Sequence, residues 1–497
     1  MIDRWHHFLD RQISQRPDAL ALTDSGGASW DYTALDTACT AVCDLLQGAG
    51  VRRGDRVVVV AENCAATVAA LFACSRLGAI AVPVNARQTE NELTRITDHA
   101  RPAAILLTSA ISPDAAAHAA RMGAQHTTGA YGVLHLVTPF ESDPLDDPDV
   151  AVILYTTGTT GTPKGVMLTH GNLIFGGQSS VAIRGMTQQD VIFGVLPMTH
   201  VFGLASILTA ATCVGALMRL EARFSTVRLY EALNDGVTLL SAVPQMHALL
   251  MQYTKEQGVD RLQGSALRYV SSGAAPLDPA WKRKAEAFYG VALQNGYGMT
   301  ETTAGVSVTR NTLGDDDIST GPPFPGVEVQ IDETVPGGGD GVGEVVTRGP
   351  NVMKGYFRNP DETARVLDAD GWMHTGDLGR IDQHGFLHIV GRSKELIIHG
   401  GFNVYPPEVE AALNDHPQVV QSAVIGRMKD GDEQVLAFVQ VADGDVPDPD
   451  ELRDFVAQRL AGYKRPVQIV MATSLPAAPT GKILKHRLSD VFADQLA

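Results

Sequence analysis

The stretch Thr156-Thr157-Gly158-Thr159-Thr160-Gly161-Thr162-Pro163-Lys164-Gly165 is where this chain is best equipped for chemistry. Its five threonines supply hydroxyls, and its three glycines let the backbone turn tightly so that N–H groups converge. Lys164 adds a cation. The stretch follows Ala151-Val152-Ile153-Leu154-Tyr155, an apolar run with the pattern of a short buried strand. A loop of this kind after a strand suits a polyphosphate. It is not the Walker loop, which needs Gly, four residues, then Gly-Lys-Ser/Thr. Here Pro163 stands five residues beyond Gly158, and Gly165 follows Lys164. The residues point to ATP phosphates held by a different scheme.

Four further polar segments follow predicted strands or turns. In Asn295-Gly296-Tyr297-Gly298-Met299-Thr300-Glu301, the glycines leave Tyr297 free to lie flat against an aromatic base. Thr300 offers a hydroxyl to a phosphate and Glu301 offers hard oxygens to Mg²⁺; a surface turn explains the segment as well. The small residues of Ser271-Ser272-Gly273-Ala274-Ala275-Pro276 let a planar ring approach the backbone, or simply make a tight strand-to-helix turn. In His374-Thr375-Gly376-Asp377-Leu378-Gly379, a carboxylate on a glycine turn can accept both hydroxyls of a ribose, with an Asx turn as the alternative. Arg392, fifteen residues on, could reach the same ribose. Pro479-Thr480-Gly481-Lys482-Ile483-Leu484 holds a lysine on a Pro/Gly turn near the C-terminus.

Alternating strands and helices position these segments. Strands are predicted at 57–61, 79–84, 103–107, 151–155, 191–196, 237–243, 267–270 and 291–294, with helices near 64–77 and 89–99 and between most later strands. The expected fold class is α/β, with layered, mostly parallel sheets. Ligands in such sheets sit beyond the carboxyl ends of strands, where the threonine loop falls. The turn-rich Pro336–Gly341 opens a smaller β region with strands at 343–349 and 385–391. A separate α+β pattern fills the last hundred residues, with helices at 406–414 and 449–460 and strands at 419–426, 434–441 and 467–472. The domain boundary is placed just after a strand, giving domains 1–393 and 394–497.

Composition narrows the partners. A formal net charge of -17 argues against nucleic acid and anionic membrane, both of which need a basic face. The five cysteines, Cys39, Cys43, Cys64, Cys74 and Cys213, are scattered without a Cys-x-x-Cys pair. That fits a reducing compartment, and a cytoplasmic location is expected. Met1–His7 lacks the apolar run of a signal peptide. Val191–Met218 has no charged residue, but Pro197, His200, Gly203 and Gly215 interrupt it. A buried strand, loop and helix are expected there rather than a transmembrane segment.

Taken together and in order, Tyr155–Gly165, Asn295–Glu301, His374–Gly379, Gly391–Glu410 and Pro479–Leu484 resemble the core motifs of the adenylate-forming superfamily, in its acyl-CoA synthetase branch. The resemblance covers essentially the whole chain. It implies a large N-terminal domain, a small mobile C-terminal domain, and ATP, Mg²⁺ and coenzyme A as cofactors or substrates. A carboxylate would attack the α-phosphorus of ATP, and a thiol would then displace AMP from the acyl-adenylate. By this resemblance Thr156, Thr157, Gly158, Thr159, Thr160 and Lys164 hold the β and γ phosphates. Thr300 contacts phosphate and Glu301 ligates magnesium. Asp377 and Arg392 contact the ribose, while Gly273, Ala274, Ala275, Pro276, Asn295, Gly296, Tyr297 and Gly298 surround the adenine. Lys482 spans the carboxylate and the α-phosphate, Lys394 is the hinge, and Gly400 and Gly401 line the pantetheine tunnel. His200 gates the acyl pocket and thiol tunnel; Thr199 departs from the aromatic residue usual beside it. The resemblance also allows a homodimer.

The acyl pocket is expected from 200–206, 243–249, 271–274 and 296–305, including Val201, Phe202, Leu204, Val243, Met246, Met299, Ala304 and Gly305. The only charged residue in these windows is Glu301, so an apolar monocarboxylic acid is favoured over a dicarboxylate or amino acid. Small Ala304 and Gly305 suggest room, hence a medium-chain or compact cyclic acid, with a medium-chain fatty acid as the leading expectation. An aryl-acid CoA ligase and an acyl carrier protein loading enzyme are the alternatives. An inactive ATP-binding regulator is disfavoured by the intact Lys482, Glu301 and Asp377.

Overall fold

The computed structural model describes residues 2–157, 163–273, 277–400, 402–429, 432–441, 447–478 and 482–496. Two eight-stranded sheets dominate the large N-terminal domain. In the first, Arg56–Ala61 pairs in parallel with Ile80–Asn85 and Ala104–Leu107. The run Val57-Val58-Val59-Val60 is buried on both faces, which accounts for its continuous β-branched character. The same sheet contains β1 (Val150–Thr157) and β2 (Pro163–Thr169), an antiparallel pair. The sequence pattern ends in a loop here, because Pro163 and Lys164 read as turn residues. They instead begin a strand at its permitted first position for proline.

The second sheet holds β3 (Tyr269–Ser272) and β4 (Leu293–Tyr297), parallel neighbours in register Ser271↔Gln294. The uncharged stretch 191–218 divides into a strand (Val191–Gly194), a short helix, a π-helical turn (Leu204–Thr209) and a helix (Ala210–Val214). Among the described residues no helix is long and apolar enough to cross a membrane. The helix His170–Arg184 links the layers. A capping box between Thr169 and Asn172 starts it, and the Asn172 amide donates to the carbonyls of Pro350 and Val352. Gly177 lets it approach the second sheet's helices, since a Cβ there would stand 2.5 Å from Thr209.

A four-stranded antiparallel sheet follows, containing β5 (Gly343–Arg348), β6 (Met373–Ile381) and β7 (Leu387–Arg392). A 3₁₀ turn, Ser393–Glu395, comes next. The small C-terminal domain packs α1 (Pro406–Asn414) and Pro449–Ala457 on a three-stranded sheet, Val419–Lys429, Asp432–Val441 and Gln468–Ala472. Its core is separate, built around Val409, Leu413, Val424, Val435, Ala437 and Leu452.

Candidate active site

Asp377 and Arg392 are directly opposed residues on β6 and β7. Arg392 Nε lies 3.1 Å from Asp377 Oδ1, and the Tyr297 hydroxyl donates to Asp377 Oδ2 at 2.6 Å. The carboxylate is 6% exposed. It sits within a strand rather than on a free turn, but the preceding Gly376 has φ +74, so the strand is irregular there. Glu344 secures the irregularity by accepting from Gly376 N at 2.8 Å and pairing with His374 Nδ1 at 2.9 Å. Burial pushes the Asp377 carboxyl up, while Arg392, the Tyr297 hydroxyl and Lys482 pull it down. Burial and the neighbouring Asp377 raise the Tyr297 phenol well above its usual range. Tyr297 therefore brings a hydroxyl to the Asp377 carboxylate as well as a ring, a contact its flanking glycines do not reveal.

Glu301 occupies the 3₁₀ turn Thr300–Thr302, just past β4, and is buried together with Thr300. Its Oε1 accepts from the Tyr356 hydroxyl at 2.9 Å. Lys164, on β2, pairs with Glu362 and stands 5.2 Å from the centre of the Tyr356 ring. Burial raises the Glu301 carboxyl, against the Tyr356 hydrogen bond and the charges of Lys164 and Arg392. Tyr356 and Glu362 thus join the site without any sequence expectation. Tyr356 reaches the site because the Gly355-Tyr356 strand pairs with Met167 and Val166, a pairing not visible in sequence. Two buried hard-oxygen residues, the Glu301 carboxylate and the Thr300 hydroxyl, make a donor set that suits Mg²⁺.

The glycines around this turn have steric roles. A Cβ on Gly298 would stand 2.3 Å from the Ala304 carbonyl oxygen, and one on Gly273 would meet the Phe202 ring at 3.0 Å. Gly296 pairs with Val308. Asn295 is committed to the scaffold, its amide donating to Ser319 O at 2.9 Å. Gly305 does not leave the room expected beside it, because the Phe324 ring lies 2.3 Å from where its Cβ would be. Thr303 and Ala304 take left-handed conformations, φ +48 and +72. His247, also in the pocket windows, carries no positive charge at neutral pH. It is fully buried between the Tyr289 hydroxyl (2.8 Å) and Ser271 O (3.2 Å), and burial pushes its imidazole down to about 4.

His200 caps a short helix, its Nδ1 accepting from Phe202 N at 3.2 Å. Burial, then the charge of Lys482, push its imidazole down to about 4. The ring is neutral, with its proton on Nε2. The field of Lys482 thus reaches both His200 and Asp377. Lys482 is exposed, yet partial desolvation by its surroundings and then Arg392 lower its ammonium, while Glu395 and Asp377 raise it. The structure brings Tyr297, Asp377 and Arg392 into contact, with the charge of Lys482 acting on the Asp377 carboxyl.

Lys394 lies on the exposed 3₁₀ turn after β7. Gly400 belongs elsewhere, in a hairpin where its N–H donates to Asp432 at 3.0 Å. Thr156 stands opposite Lys164 in the β1–β2 pair, and Thr157 opposite Pro163. Gly158, Thr159, Thr160, Ala274, Ala275, Pro276 and Gly401 lie outside the described residues.

Residues 9–357 match the AMP-binding enzyme family, and 408–482 match the AMP-binding enzyme C-terminal domain. The chain belongs to the AMP-binding enzyme family. This AMP-binding enzyme is 35% identical to a feruloyl-CoA synthase from Amycolatopsis sp, over 97% of its own length and 98% of the relative's. It is 33% identical to the 2-succinylbenzoate–CoA ligase of Geobacillus kaustophilus, covering 97% of each chain. The ATP-bound crystal structure of MatB from Rhodopseudomonas palustris superposes with a TM-score of 0.84, at 31% identity and 99% coverage of both chains.

Proposed function

We propose that this acid–thiol ligase, working with ATP, Mg²⁺ and coenzyme A through an acyl-adenylate, activates a compact aryl or arylpropenoic monocarboxylic acid. The observation that carries this choice is the Phe324 ring filling the space beside Gly305, which removes the room a longer alkyl chain would use. Phe202 against Gly273 adds a flat wall, and Val201, Leu204, Val243 and Met246 are apolar. His247 is neutral with both ring nitrogens engaged, so it offers no counter-charge to a second carboxylate. Relatives named for feruloyl, 4-coumarate and 2-succinylbenzoate support the aromatic class, although a long-chain-fatty-acid–CoA ligase of Bacillus subtilis is also 31% identical.

In this reading Asp377 accepts the ribose hydroxyls, with Arg392 and Tyr297 fixing its two oxygens. Glu301 and Thr300 would hold Mg²⁺, which when bound offsets phosphate charge. The acid's carboxylate attacks the α-phosphorus and pyrophosphate leaves. Two anions meet in that step, and Lys482 supplies positive charge where negative charge accumulates. The thiol of coenzyme A then attacks the acyl carbon and AMP leaves. The boundary after residue 393 lets the small domain carry Lys482 away for this second step, with Lys394 absorbing the rotation.

Pyrophosphate release across benzoic, hydroxycinnamic and C6–C12 alkanoic acids, with and without coenzyme A, tests the reading. The aryl acids should give the highest kcat/KM, with stimulation by coenzyme A. Preference for alkanoic acids would overturn the substrate class, and indifference to coenzyme A would favour a carrier-loading enzyme.

A further inference from the structure

Lys482 stands at the start of a short segment that pairs antiparallel with residues 476–478. Ala478 N donates to Lys482 O and Leu484 N to Pro476 O, each at 2.8 Å. The next helical turn places Lys485 between two carboxylates from different elements. Its Nζ lies 2.8 Å from Glu410 Oε1 on α1 and 3.1 Å from Glu395 Oε2 on the turn that follows β7. Glu410 Oε1 is held in turn by Val424 N at 2.8 Å. Beyond Lys485 the chain is anchored by buried Leu488 against Phe438 and Val470.

Glu395 is the contested group. It is partly buried, which would raise its carboxyl, yet it is held below its usual value by Lys485 first, then Arg392 and Lys482. Three cations thus share one carboxylate, and Lys485 has the direct contact. Without Lys485, Glu395 would be a partly buried anion short of its partner, and such a group draws in the nearest available cation. Lys482 and Arg392 are the cations whose charge reaches it, and both serve the nucleotide in the reading above.

We propose that Lys485 is a positioning residue for adenylate formation: by occupying Glu395 and Glu410 it keeps Glu395 from capturing the Lys482 ammonium. The inference rests on the assignment of Lys482 to the first half-reaction. Glu395, Lys482 and Lys485 all follow residue 393 and move together, so the second half-reaction should not need the clamp.

Lys485→Met, Lys485→Arg and the double variant Lys485→Met/Glu395→Gln test this in the full chain. ATP–pyrophosphate exchange reads the first half-reaction, and thioester formation from presynthesised adenylate reads the second. A misplaced amine costs on the order of 10²-fold, so Lys485→Met should lose that much in exchange kcat, with KM for ATP near the parent value and thioester formation intact. Its alkaline limb should move to higher pH. Of the groups facing Lys482, Arg392, Asp377, Glu395, Lys485 and neutral His200, the variant removes one cation and frees Glu395 to pair. Lys485→Arg should restore rate and limb, and the double variant should recover rate because the competing carboxylate is gone. Parent-level exchange with an unshifted limb in Lys485→Met, or equal loss in both half-reactions, would overturn the proposal. Lys482→Ala, run in parallel, separates the premise: if exchange survives there, the assignment of Lys482 fails first.

Discussion

Tyr297 and Arg392, ninety-five residues apart in sequence, grip the two oxygens of one carboxylate, Asp377, from opposite sides. Neither oxygen can swing away without breaking a hydrogen bond or an ion pair. The carboxylate is thus oriented before any nucleotide arrives, and a ribose would meet a fixed acceptor.

Asp377→Asn should therefore weaken ATP binding while leaving the fold intact, because the amide keeps the shape but not the charge. Hydrogen bonds to a charged group contribute about 1.5–3 kcal/mol, so KM for ATP should rise roughly 10- to 100-fold. Calorimetric titration with ATP, beside steady-state kinetics, checks this. An unchanged ATP affinity would remove Asp377 from the nucleotide site.

Lys482→Ala should lower adenylate formation by about 10²–10³ and spare thioester formation from presynthesised adenylate. The pH dependence follows from the same amine. Partial desolvation and Arg392 depress its pKa, so rising pH strips the proton earlier than from an ordinary lysine. Adenylate formation should fall on the alkaline side ahead of the usual lysine range, and the second half-reaction should not follow it.

Gly298→Ala should displace the turn that carries Glu301. The added methyl meets the Ala304 carbonyl, which is backbone and cannot rotate aside. Overpacking of this kind costs about 1–3 kcal/mol. Thermal unfolding should show a modestly lowered Tm, with a larger loss in Mg²⁺-dependent pyrophosphate exchange. Full exchange activity would show that the turn tolerates displacement.

Acid should destabilise the protein well above the carboxylate range. His170 and His247 are buried and His200 partly buried, with pKa values depressed from 6.5 to about 4. Below pH 6.5 the unfolded chain binds protons that the folded chain refuses, so folding stability falls as pH drops from 6.5 toward 4. A scan of Tm from pH 7 to pH 5 should decline, and His247→Asn should flatten part of the decline. A level profile would contradict the neutral burial of these rings.

Part of the candidate site was legible in linear form because segments such as Asn295–Glu301 sit at strand ends, where turn chemistry is local, whereas Asp377 proved to lie within a strand. Helix 406–414 and the Val57–Val60 strand were equally legible, since periodicity and β-branching are local signals. Tyr356, Glu362 and the Lys485 clamp were not, because their partners come from strands and helices far along the chain. The room expected at Gly305 failed for the same reason: a missing side chain reports space only when nothing distant fills it, and Phe324 does. The sequence by itself determined the layered α/β plan and the ATP-dependent ligase family to which the chain belongs. Only the tertiary structure decided which charges share a partner, which histidines stay neutral and what fills the space beside Gly305. Burial and through-space charge depend on what packs nearby, and spacing along the chain does not encode that.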